Sequence, residues 1–358
     1  MPKTVSKASI VFTGGGSGGH VVPAKTLIQS ILRTSDIPVS YIGSIDGVEK
    51  EVISKLSIDY HSIQTGKLRR YFSFENMLDF FKVAIGCLQA FLKLLSIRPR
   101  VKVIFSTGGF VVVPVVIAAW VLGKKIIIHE QTTRVGLANK ICSYFADMII
   151  VSYEYSMKFF PNEKTIFLGY PLRDELFDSK LKTTQLEKIE FNDSKNPLLF
   201  ITGGGNGSKL LNDFVKRNLE VLKENFQIIH QVGKNHLAEF QNLSSERYLP
   251  LSFIGEEYID IIKSAKVIVS RAGAGTVSEL IAINKKSIFI PLKIAQKNEQ
   301  FHNAMEANSK LGSLVIEEDD FDDEKVLRDI LNFIPSSLER DNMENPKEKI
   351  IEAIQKFL

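Results

Sequence analysis

The hydrophobic positions of this chain follow two alternating patterns. Short apolar runs typical of buried strands give way to segments in which apolar residues recur at helical spacing. The first pattern predicts β-strands at residues 8–13, 39–42, 101–105, 125–129, 148–151, 198–202, 227–231, 266–270 and 287–291. The second predicts helices around Ala24, Leu27, Ile28, Ile31 and Leu32, around Met77, Phe80, Phe81, Ala84, Leu88 and Phe91, and at 207–222, 275–283 and 347–358. This alternation predicts parallel β-α-β units and the α/β class.

Two of the predicted strands end in glycine clusters that lead into a helical pattern. The first cluster is residues 14–19, followed by His20, and the second is residues 203–207. Glycine permits positive φ angles and close approach of the backbone to a ligand, and the N-terminus of a following helix attracts an anion. One cluster in each half predicts two bound phosphorylated molecules, or one long molecule across a cleft.

Length and composition indicate a globular protein of two domains. A chain of 358 residues exceeds one ordinary core, and glycine and proline interrupt the pattern at 169–173, where we predict the linker. The formal charge of +4 gives no argument for nucleic acid. Cys87 and Cys142 lie in apolar runs without disulfide or zinc spacing, which indicates reduced core residues in the cytoplasm, and no export signal is evident.

Residues 103–123 carry no charge over a length that could span a membrane. Gly108, Gly109 and Pro114 interrupt this segment near its middle. Such interruptions favour a buried strand, a turn and a helix over a membrane span.

The first glycine cluster satisfies the G-x-G-x-x-G pattern of dinucleotide-binding folds. A nicotinamide site also needs an acidic residue at the end of the second strand, but that strand ends in Gly43 and Ser44. Asp46 and Glu49 follow, in what we expect to be a helix, so the dehydrogenase interpretation is disfavoured. A tight turn that binds no ligand stays open as an alternative.

Two further residues each have a chemical and a structural interpretation. His20 follows the glycines near a helix N-terminus, where neutral imidazole is favoured; it could act as a general base or hydrogen bond to a phosphate. Glu279 stands at capping-box spacing from Thr276, although a carboxylate there could also bind a ribose diol. The residues alone favour the cap for Glu279 and leave His20 undecided.

The segment at 67–74 combines positive charges with aromatic side chains. Exposed, such residues bind anionic lipid surfaces; buried, the rings belong to a core. The residues concerned are Lys67, Arg69, Arg70, Tyr71, Phe72 and Phe74. Both interpretations stay open on composition.

Six ordered motifs together resemble the MurG family, over nearly the whole chain. They are residues 15–20, 108–114, 129–131 with 136–140, 169–173, 270–279 and 300–304. The family transfers N-acetylglucosamine from its UDP derivative to undecaprenyl-diphospho-muramoyl pentapeptide (lipid I) in peptidoglycan synthesis. The resemblance implies the GT-B architecture, two Rossmann-like doubly wound parallel-sheet domains facing across a cleft, with no metal or cofactor. It also implies a peripheral protein on the cytoplasmic face of the cell membrane.

The resemblance implies a role for each domain. Residues 1–168, which a helix at 340–358 would complete, would bind the lipid-linked acceptor and the membrane, and residues 169–339 would bind the UDP-sugar. The implied donor site comprises Arg173, Gly204, Gly205, Asn206, Ile254, Glu279, Gln300 and Thr132, which overturns the preference for Glu279 as a cap. The implied acceptor-diphosphate site comprises Gly15, Gly16, Ser17, Gly18, Gly19, Gly108 and Gly109. The implied membrane contact comprises Arg69, Arg70, Tyr71, Phe72 and Phe74.

Several positions depart from the family pattern. Thr132 stands where the family usually has Asn, and Gly205 replaces a Ser near the donor phosphates. Val112, Val113 and Tyr170 also differ from the common residues. These departures leave open an altered acceptor specificity.

The predicted reaction is inverting glycosyl transfer to the 4-hydroxyl of the muramoyl sugar. It needs a base near the attacking hydroxyl and positive dipoles around the leaving diphosphate. His20 is our first candidate for the base, followed by Glu130 and Asp46. A UDP-sugar 2-epimerase on the same scaffold, or a catalytically silent binding protein, are the alternatives; neither needs a lipid acceptor.

Overall fold

The computed structural model describes residues 8–66, 74–191, 193, 195–335 and 344–358. The chain divides into two compact units, which we call unit 1 (Met1–Leu172 with Glu344–Leu358) and unit 2 (Arg173–Met343). The division after Leu172 falls inside the segment 169–173 and four residues beyond position 168, where we expected the first domain to end.

Unit 1 contains a seven-stranded sheet in which every strand pairing is parallel. Its strands are β1 (Ser9–Thr13), β2 (Val39–Ser44), β3 (Asp59–Ile63), β4 (Val101–Ser106), β5 (Lys125–Glu130), β6 (Met148–Val151) and β7 (Thr165–Phe167). Its helices up to the division are α1 (Gly18–Thr34), α2 (Val48–Ile53), α3 (Phe74–Ser96), α4 (Val112–Val121) and α5 (Leu137–Cys142). The strand order is β3-β2-β1-β4-β5-β6-β7. This is a doubly wound sheet.

Unit 2 repeats this plan. A small antiparallel hairpin, β8 (Gln185–Leu186) and β9 (Ile189–Glu190), precedes the main strands β10 (Leu198–Thr202), β11 (Gln227–Gln231), β12 (Tyr248–Leu251), β13 (Val267–Ser270), β14 (Ile288–Phe289) and β15 (Leu314–Val315). The helices are α6 (Lys209–Asn225), α7 (Leu237–Phe240), α8 (Tyr258–Ser264), α9 (Ala274–Ala282), α10 (Glu299–Leu311) and α11 (Asp323–Leu331). The parallel order β12-β11-β10-β13-β14-β15 confirms the predicted fold class, two Rossmann-like parallel-sheet units.

The last helix, α12 (Pro346–Gln355), belongs to unit 1. Ile350 and Ile354 are fully buried in the same apolar cluster as Leu27 of α1 and Phe12 of β1. Asn345 caps the helix by accepting from the amide of Lys347 at 3.1 Å, and its amide donates to the carbonyl of Leu172 at 2.9 Å. Unit 1 is therefore built from two separate stretches of the sequence.

The strand order places the glycine clusters at the two switch points. In unit 1, β1 and β4 are adjacent; the strands that follow β1 lie on one side of this pair and those that follow β4 lie on the other, so the loops after β1 and β4 lie side by side. In unit 2 the loops after β10 and β13 lie side by side for the same reason. Ligands of doubly wound folds bind at such points. The uncharged segment 103–123 contributes β4 and α4, as predicted, and no helix in the described parts of the chain has the length and hydropathy of a membrane span.

Candidate functional site

The glycines after β1 and β4 serve mainly to let the two loops of unit 1 pack together. A Cβ on Gly14 would lie 2.0 Å from Oγ1 of Thr107, and one on Gly109 would lie 2.0 Å from the carbonyl oxygen of Gly15. The amide of Gly15 donates to the carbonyl of Gly108 at 3.1 Å. These glycines are required by the fold whether or not a ligand is present.

The next glycines have no such packing role. A Cβ on Gly18 would meet nothing within 4 Å, and one on Gly19 would meet only Oγ of Ser17 at 3.7 Å. Helix α1 begins at Gly18; its N-cap Ser17 makes no side-chain cap, and its first turn holds no acidic residue. The N-terminus of α1 therefore has the features on which the prediction of an anion site rests. The amide of Gly16 differs, because it donates to Oε2 of Glu49 at 3.1 Å.

His20 is held in one tautomer. Its Nδ1 lies 2.8 Å from the carbonyl oxygen of Thr107 and 3.2 Å from Oε1 of Gln131. Both neighbours are acceptors, so Nδ1 carries the proton of the neutral ring. The lone pair is then on Nε2, the atom that a general base would use.

A chain of polar contacts continues from His20 through the β5 strand end. Nε2 of Gln131 donates to the carbonyl of His129 at 3.0 Å and lies 3.2 Å from Nδ1 of that ring. Nε2 of His129 lies 3.1 Å from the carbonyl oxygen of Gly169. Burial lowers the pKa of His129 to about 4, so its ring is neutral near pH 7. Sequence analysis gave Gln131 no role, although a buried amide beside two histidines is the expected signal of such a chain.

The two other candidate bases are placed differently. Glu130 is buried, and its carboxylate accepts from the amide of Thr132 at 3.2 Å, from Oγ1 of Thr132 at 3.0 Å, from the amide of Gly136 at 3.3 Å and from Nδ2 of Asn139 at 3.1 Å. This carboxylate organises the loop between β5 and α5 and leaves no unengaged oxygen. Asp46 is exposed in the loop before α2, not inside a helix as we expected, and lines a cavity of about 450 Å³.

In unit 2 the second glycine cluster, residues 203–207, does not lead into an uncapped helix N-terminus. A Cβ on Gly203 would lie 2.2 Å from the amide nitrogen of Ser208, and one on Gly207 would lie 1.9 Å from the carbonyl oxygen of Val232. The N-cap Ser208 accepts at Oγ from the amide of Leu211 and from Nε of Arg271 at 3.1 Å. One amide of the first turn of α6 is therefore capped by the protein itself, unlike the N-terminus of α1. Gly204, Gly205 and Asn206 are exposed in the loop before it.

Helix α9, after the glycine turn that follows β13, has an open N-terminus in unit 2. Its N-cap is Gly273, without a side-chain cap and without an acidic residue in the first turn. Thr276 and Glu279 both lie inside the helix, so the capping box suggested by their spacing is absent. The physical reason is that the helix begins two residues before Thr276, which puts Glu279 in its second turn.

Glu279 instead belongs to a buried polar cluster. Nε and Nη2 of Arg173 donate to its Oε1 at 3.0 and 2.6 Å. The guanidinium carbon also lies 5.0 Å from the centre of the Tyr258 ring. Removal of the Tyr258 hydroxyl from water, and then the nearby Glu279 carboxylate, raise the pKa of that hydroxyl well above its usual range. These contacts fix the carboxylate in one orientation.

Gln300 ties the loops after β13 and β14 together. Its Oε1 accepts from the amides of Ala272 at 3.2 Å and Leu292 at 3.0 Å, which leaves Nε2 to donate elsewhere. Lys297 and Asn298, just before α10, have φ angles of 52° and 55°, and strained backbone of this kind concentrates at ligand sites.

Ile254 lies in the loop after β12. Its side chain is buried, whereas that of the preceding Phe253 is 69% exposed. A buried side chain at this position anchors the loop and leaves its backbone as the polar surface.

Comparison with known proteins places these features in a family. Residues 10–151 match the glycosyltransferase family 28 N-terminal domain, and residues 198–357 match the glycosyltransferase family 28 C-terminal domain. The chain is 39% identical over 361 residues to a Clostridium perfringens protein named UDP-N-acetylglucosamine–N-acetylmuramyl-(pentapeptide) pyrophosphoryl-undecaprenol N-acetylglucosamine transferase, with 98% of this chain and 99% of the relative covered.

Solved structures show the same fold. The crystal structure of Acinetobacter baumannii MurG matches with a TM-score of 0.70 and 22% identity, over 97% of this chain and 99% of that one. A putative UDP-N-acetylglucosamine 2-epimerase from Listeria monocytogenes matches with a TM-score of 0.67 and 11% identity, over 97% and 96%. The fold is therefore shared by transferases and epimerases, and the fold alone does not distinguish the two reactions. The chain belongs to glycosyltransferase family 28 and, within it, to the MurG family.

Proposed function

We propose that this protein transfers N-acetylglucosamine from UDP-N-acetylglucosamine to the muramoyl 4-hydroxyl of a lipid-linked, diphosphate-containing acceptor, with inversion at the anomeric carbon. The observation that carries this proposal is the 39% identity, over nearly the full length of both chains, to a relative named for this reaction. The open helix N-terminus in each unit supports it, since both substrates carry a diphosphate.

Unit 2 binds the donor in this proposal. The amides at the start of α9 receive the UDP diphosphate, with the exposed loop of Gly204, Gly205 and Asn206 beside it. Glu279, already oriented by Arg173, accepts hydrogen bonds from the ribose diol. Nε2 of Gln300 donates to a sugar hydroxyl, and the Ile254 backbone pairs with the uracil.

Unit 1 binds the acceptor. The diphosphate of the acceptor lies at the N-terminus of α1, and Nε2 of His20 removes the proton of the attacking hydroxyl. That oxygen forms a bond to the anomeric carbon while the bond from this carbon to UDP breaks, and UDP leaves with the electron pair. Glu130 and Thr132 shape the loop beside the base and take no proton in this scheme.

We further propose that an apolar face of unit 1 docks on the membrane surface. On α3 the side chains of Phe81, Ile85, Leu88, Leu92 and Leu95 are exposed and recur every three or four positions, and Trp120 and Val121 of α4 are exposed as well. A stripe of this kind is typical of a helix that lies in a lipid interface. Of the membrane residues inferred from sequence, Arg69, Arg70, Tyr71 and Phe72 lie outside the described residues, and the side chain of Phe74 is not described.

A transfer assay tests the reaction. UDP-N-acetylglucosamine, UDP-N-acetylgalactosamine and UDP-glucose are offered with and without a short-chain prenyl-diphospho-muramoyl-pentapeptide. We expect UDP release only when UDP-N-acetylglucosamine and the acceptor are both present. Isomerisation of the sugar nucleotide without acceptor would point to an epimerase, and the absence of both products would point to a binding protein.

A further inference from the structure

Glu49 is a fully buried acid that lies directly beneath the acceptor loop of unit 1. Its Oε2 accepts from the amide of Gly16 at 3.1 Å, and its Oε1 accepts from the amide of Ser44 at 2.9 Å and from the Ser44 hydroxyl. All three partners are uncharged donors. The side chain thus joins the loop after β1, whose Gly16 lies 33 positions before Glu49, to the end of β2.

The chemistry of this pocket requires two acceptor oxygens. The amides of Gly16 and Ser44 can only donate, and they face different oxygens of Glu49. A glutamine has one oxygen and one NH2 group, so it would leave at least one of these amides facing a donor. A side chain of the same shape with one acceptor oxygen therefore leaves a donor of the pocket without an acceptor, whereas the carboxylate provides for both amides.

Glycines on either side of Glu49 leave the space that its carboxyl group occupies. A Cβ on Gly15 would lie 2.4 Å from the Glu49 carboxyl carbon, and one on Gly47 would lie 2.3 Å from the same atom. Part of the glycine signature that suggests phosphate binding is therefore explained by a buried side chain of the protein itself. Tyr60 closes the same region by donating to the carbonyl of Ser44 at 2.7 Å.

A negative charge beneath a loop that binds an anion needs an explanation. Glu49 removes the Gly16 amide from the set of free donors and repels a phosphate placed directly above it. Its hydrogen bonds also restrain a run of glycines that would otherwise be conformationally free. Because the first turn of α1 follows this run, Glu49 also restrains the start of the helix.

We propose that Glu49 is a positioning residue of the acceptor site, a proposal that rests on the function proposed above. It clamps Gly16 to Ser44, excludes the acceptor diphosphate from the Gly16 amide and directs it to the amides of Ser17, Gly18 and Gly19. The diphosphate then lies on the first turn of α1, the turn that carries His20.

Kinetics of Glu49→Gln test the clamp, with Glu51→Gln as the matched control, an exposed acid on the same helix. We expect the acceptor KM of Glu49→Gln to rise by about tenfold, while the donor KM stays within about twofold of wild type. The control should match wild type in both. An unchanged acceptor KM, or equal losses for donor and acceptor, would overturn the proposal.

A binding measurement on the wild-type chain keeps the proposal testable even if Glu49→Gln fails to fold or if no transfer is found. Inorganic pyrophosphate is titrated into protein labelled with 15N-glycine, and the Gly16, Gly18 and Gly19 amides are assigned by loss of each peak in an alanine variant. We expect shifts at Gly18 and Gly19 and none of similar size at Gly16. An equal shift at Gly16, or no shift at Gly18 and Gly19, would overturn the proposal. Absence of transfer by wild type would count against the proposed function alone.

Discussion

Nη2 of Arg173 lies 2.6 Å from Oε1 of Glu279, and Nε of the same guanidinium lies 3.0 Å from that oxygen. The sequence analysis placed both residues in the implied donor site but did not predict that they contact each other. Because one residue holds the other, the carboxylate is oriented before any ligand arrives, and loss of either partner changes the same contact.

Arg173→Ala and Glu279→Ala should therefore each raise the KM for UDP-N-acetylglucosamine by about 10- to 100-fold, with a smaller effect on the acceptor KM. The double variant should be no worse than the poorer single variant, since the two residues act together. Arg217→Ala serves as control because its ion pair with Asp323 lies on the surface of the same unit. Donor KM values that multiply in the double variant would show independent roles.

His20 and Gln131 should give graded losses of turnover. His20→Ala removes the proposed base and should lower kcat by about 10²- to 10⁴-fold at saturating substrates. Gln131→Met removes one acceptor from Nδ1 of His20, so we expect a kcat loss of about tenfold and a larger share of the other tautomer in 15N spectra of the ring. Gln29→Met on α1 is the control. Near-normal kcat for His20→Ala would remove this residue from the chemistry.

Alanine at two glycines of the same loop region, Gly15 and Gly19, should have opposite effects on stability. Gly19→Ala adds a methyl group in open space inside a helix and should raise the free energy of unfolding by about 0.4–1 kcal/mol, yet weaken acceptor binding. Gly15→Ala collides with Glu49 and should destabilise the protein. Urea denaturation and acceptor KM measure both properties. Full acceptor affinity in Gly19→Ala would contradict a ligand at this helix end.

A polar residue on the apolar face of α3 should weaken membrane binding without loss of fold. Leu88 is 61% exposed, so Leu88→Gln should cost little stability, whereas it removes an inserted side chain from the lipid interface. Sedimentation with vesicles that contain anionic phospholipid measures the effect. Val221→Gln, an exposed apolar position on α6, should bind vesicles like wild type. Equal binding by both variants would exclude this face.

Two buried histidines should make the protein sensitive to acid. Burial lowers the pKa of His230 to about 3 and that of His129 to about 4. Unfolded chains take up these protons below about pH 6.5, whereas the folded protein does not, so stability falls as the pH decreases from about 6.5 towards 4 and 3. Each histidine should contribute a loss of about 2 kcal/mol between pH 7 and pH 5.

Urea denaturation at the two pH values measures this loss. His230→Leu should be less stable at pH 7, because it loses the contact with the Tyr248 hydroxyl at 2.9 Å, but its stability should change less with pH. An unaltered pH dependence in His230→Leu would show that this ring is protonated in the folded state.

The apolar pattern predicted the central strands well because buried parallel strands are continuous hydrophobic runs. β6 and β10 begin and end at the predicted residues, and α9 is shifted by one residue. The edge strand β3 was missed, since four of its five residues are exposed or only partly buried and give no apolar run. β14 is shorter than predicted, at two residues.

The sequence indicated the loops of the candidate site, but it did not indicate the contacts within them. The open end of α1 and the position of His20 followed from local sequence. The burial of Glu49 did not, because it depends on missing Cβ atoms at Gly15 and Gly47 and on an amide 33 positions away. The side-chain cap of α6 was missed for the same reason, since Ser208 is held by Arg271, which reaches it from another loop.

The return of α12 to unit 1 has a consequence for biosynthesis. Ile350, Ile351, Ala353 and Ile354 of α12 complete a core whose other buried members precede residue 172, so that core stays open to water until after unit 2 has been translated. Unit 2 is one continuous stretch of sequence, so it can complete its core on the ribosome before unit 1 does. Unit 1, begun first, is therefore completed last, and it is the unit more exposed to chaperones and proteases during synthesis.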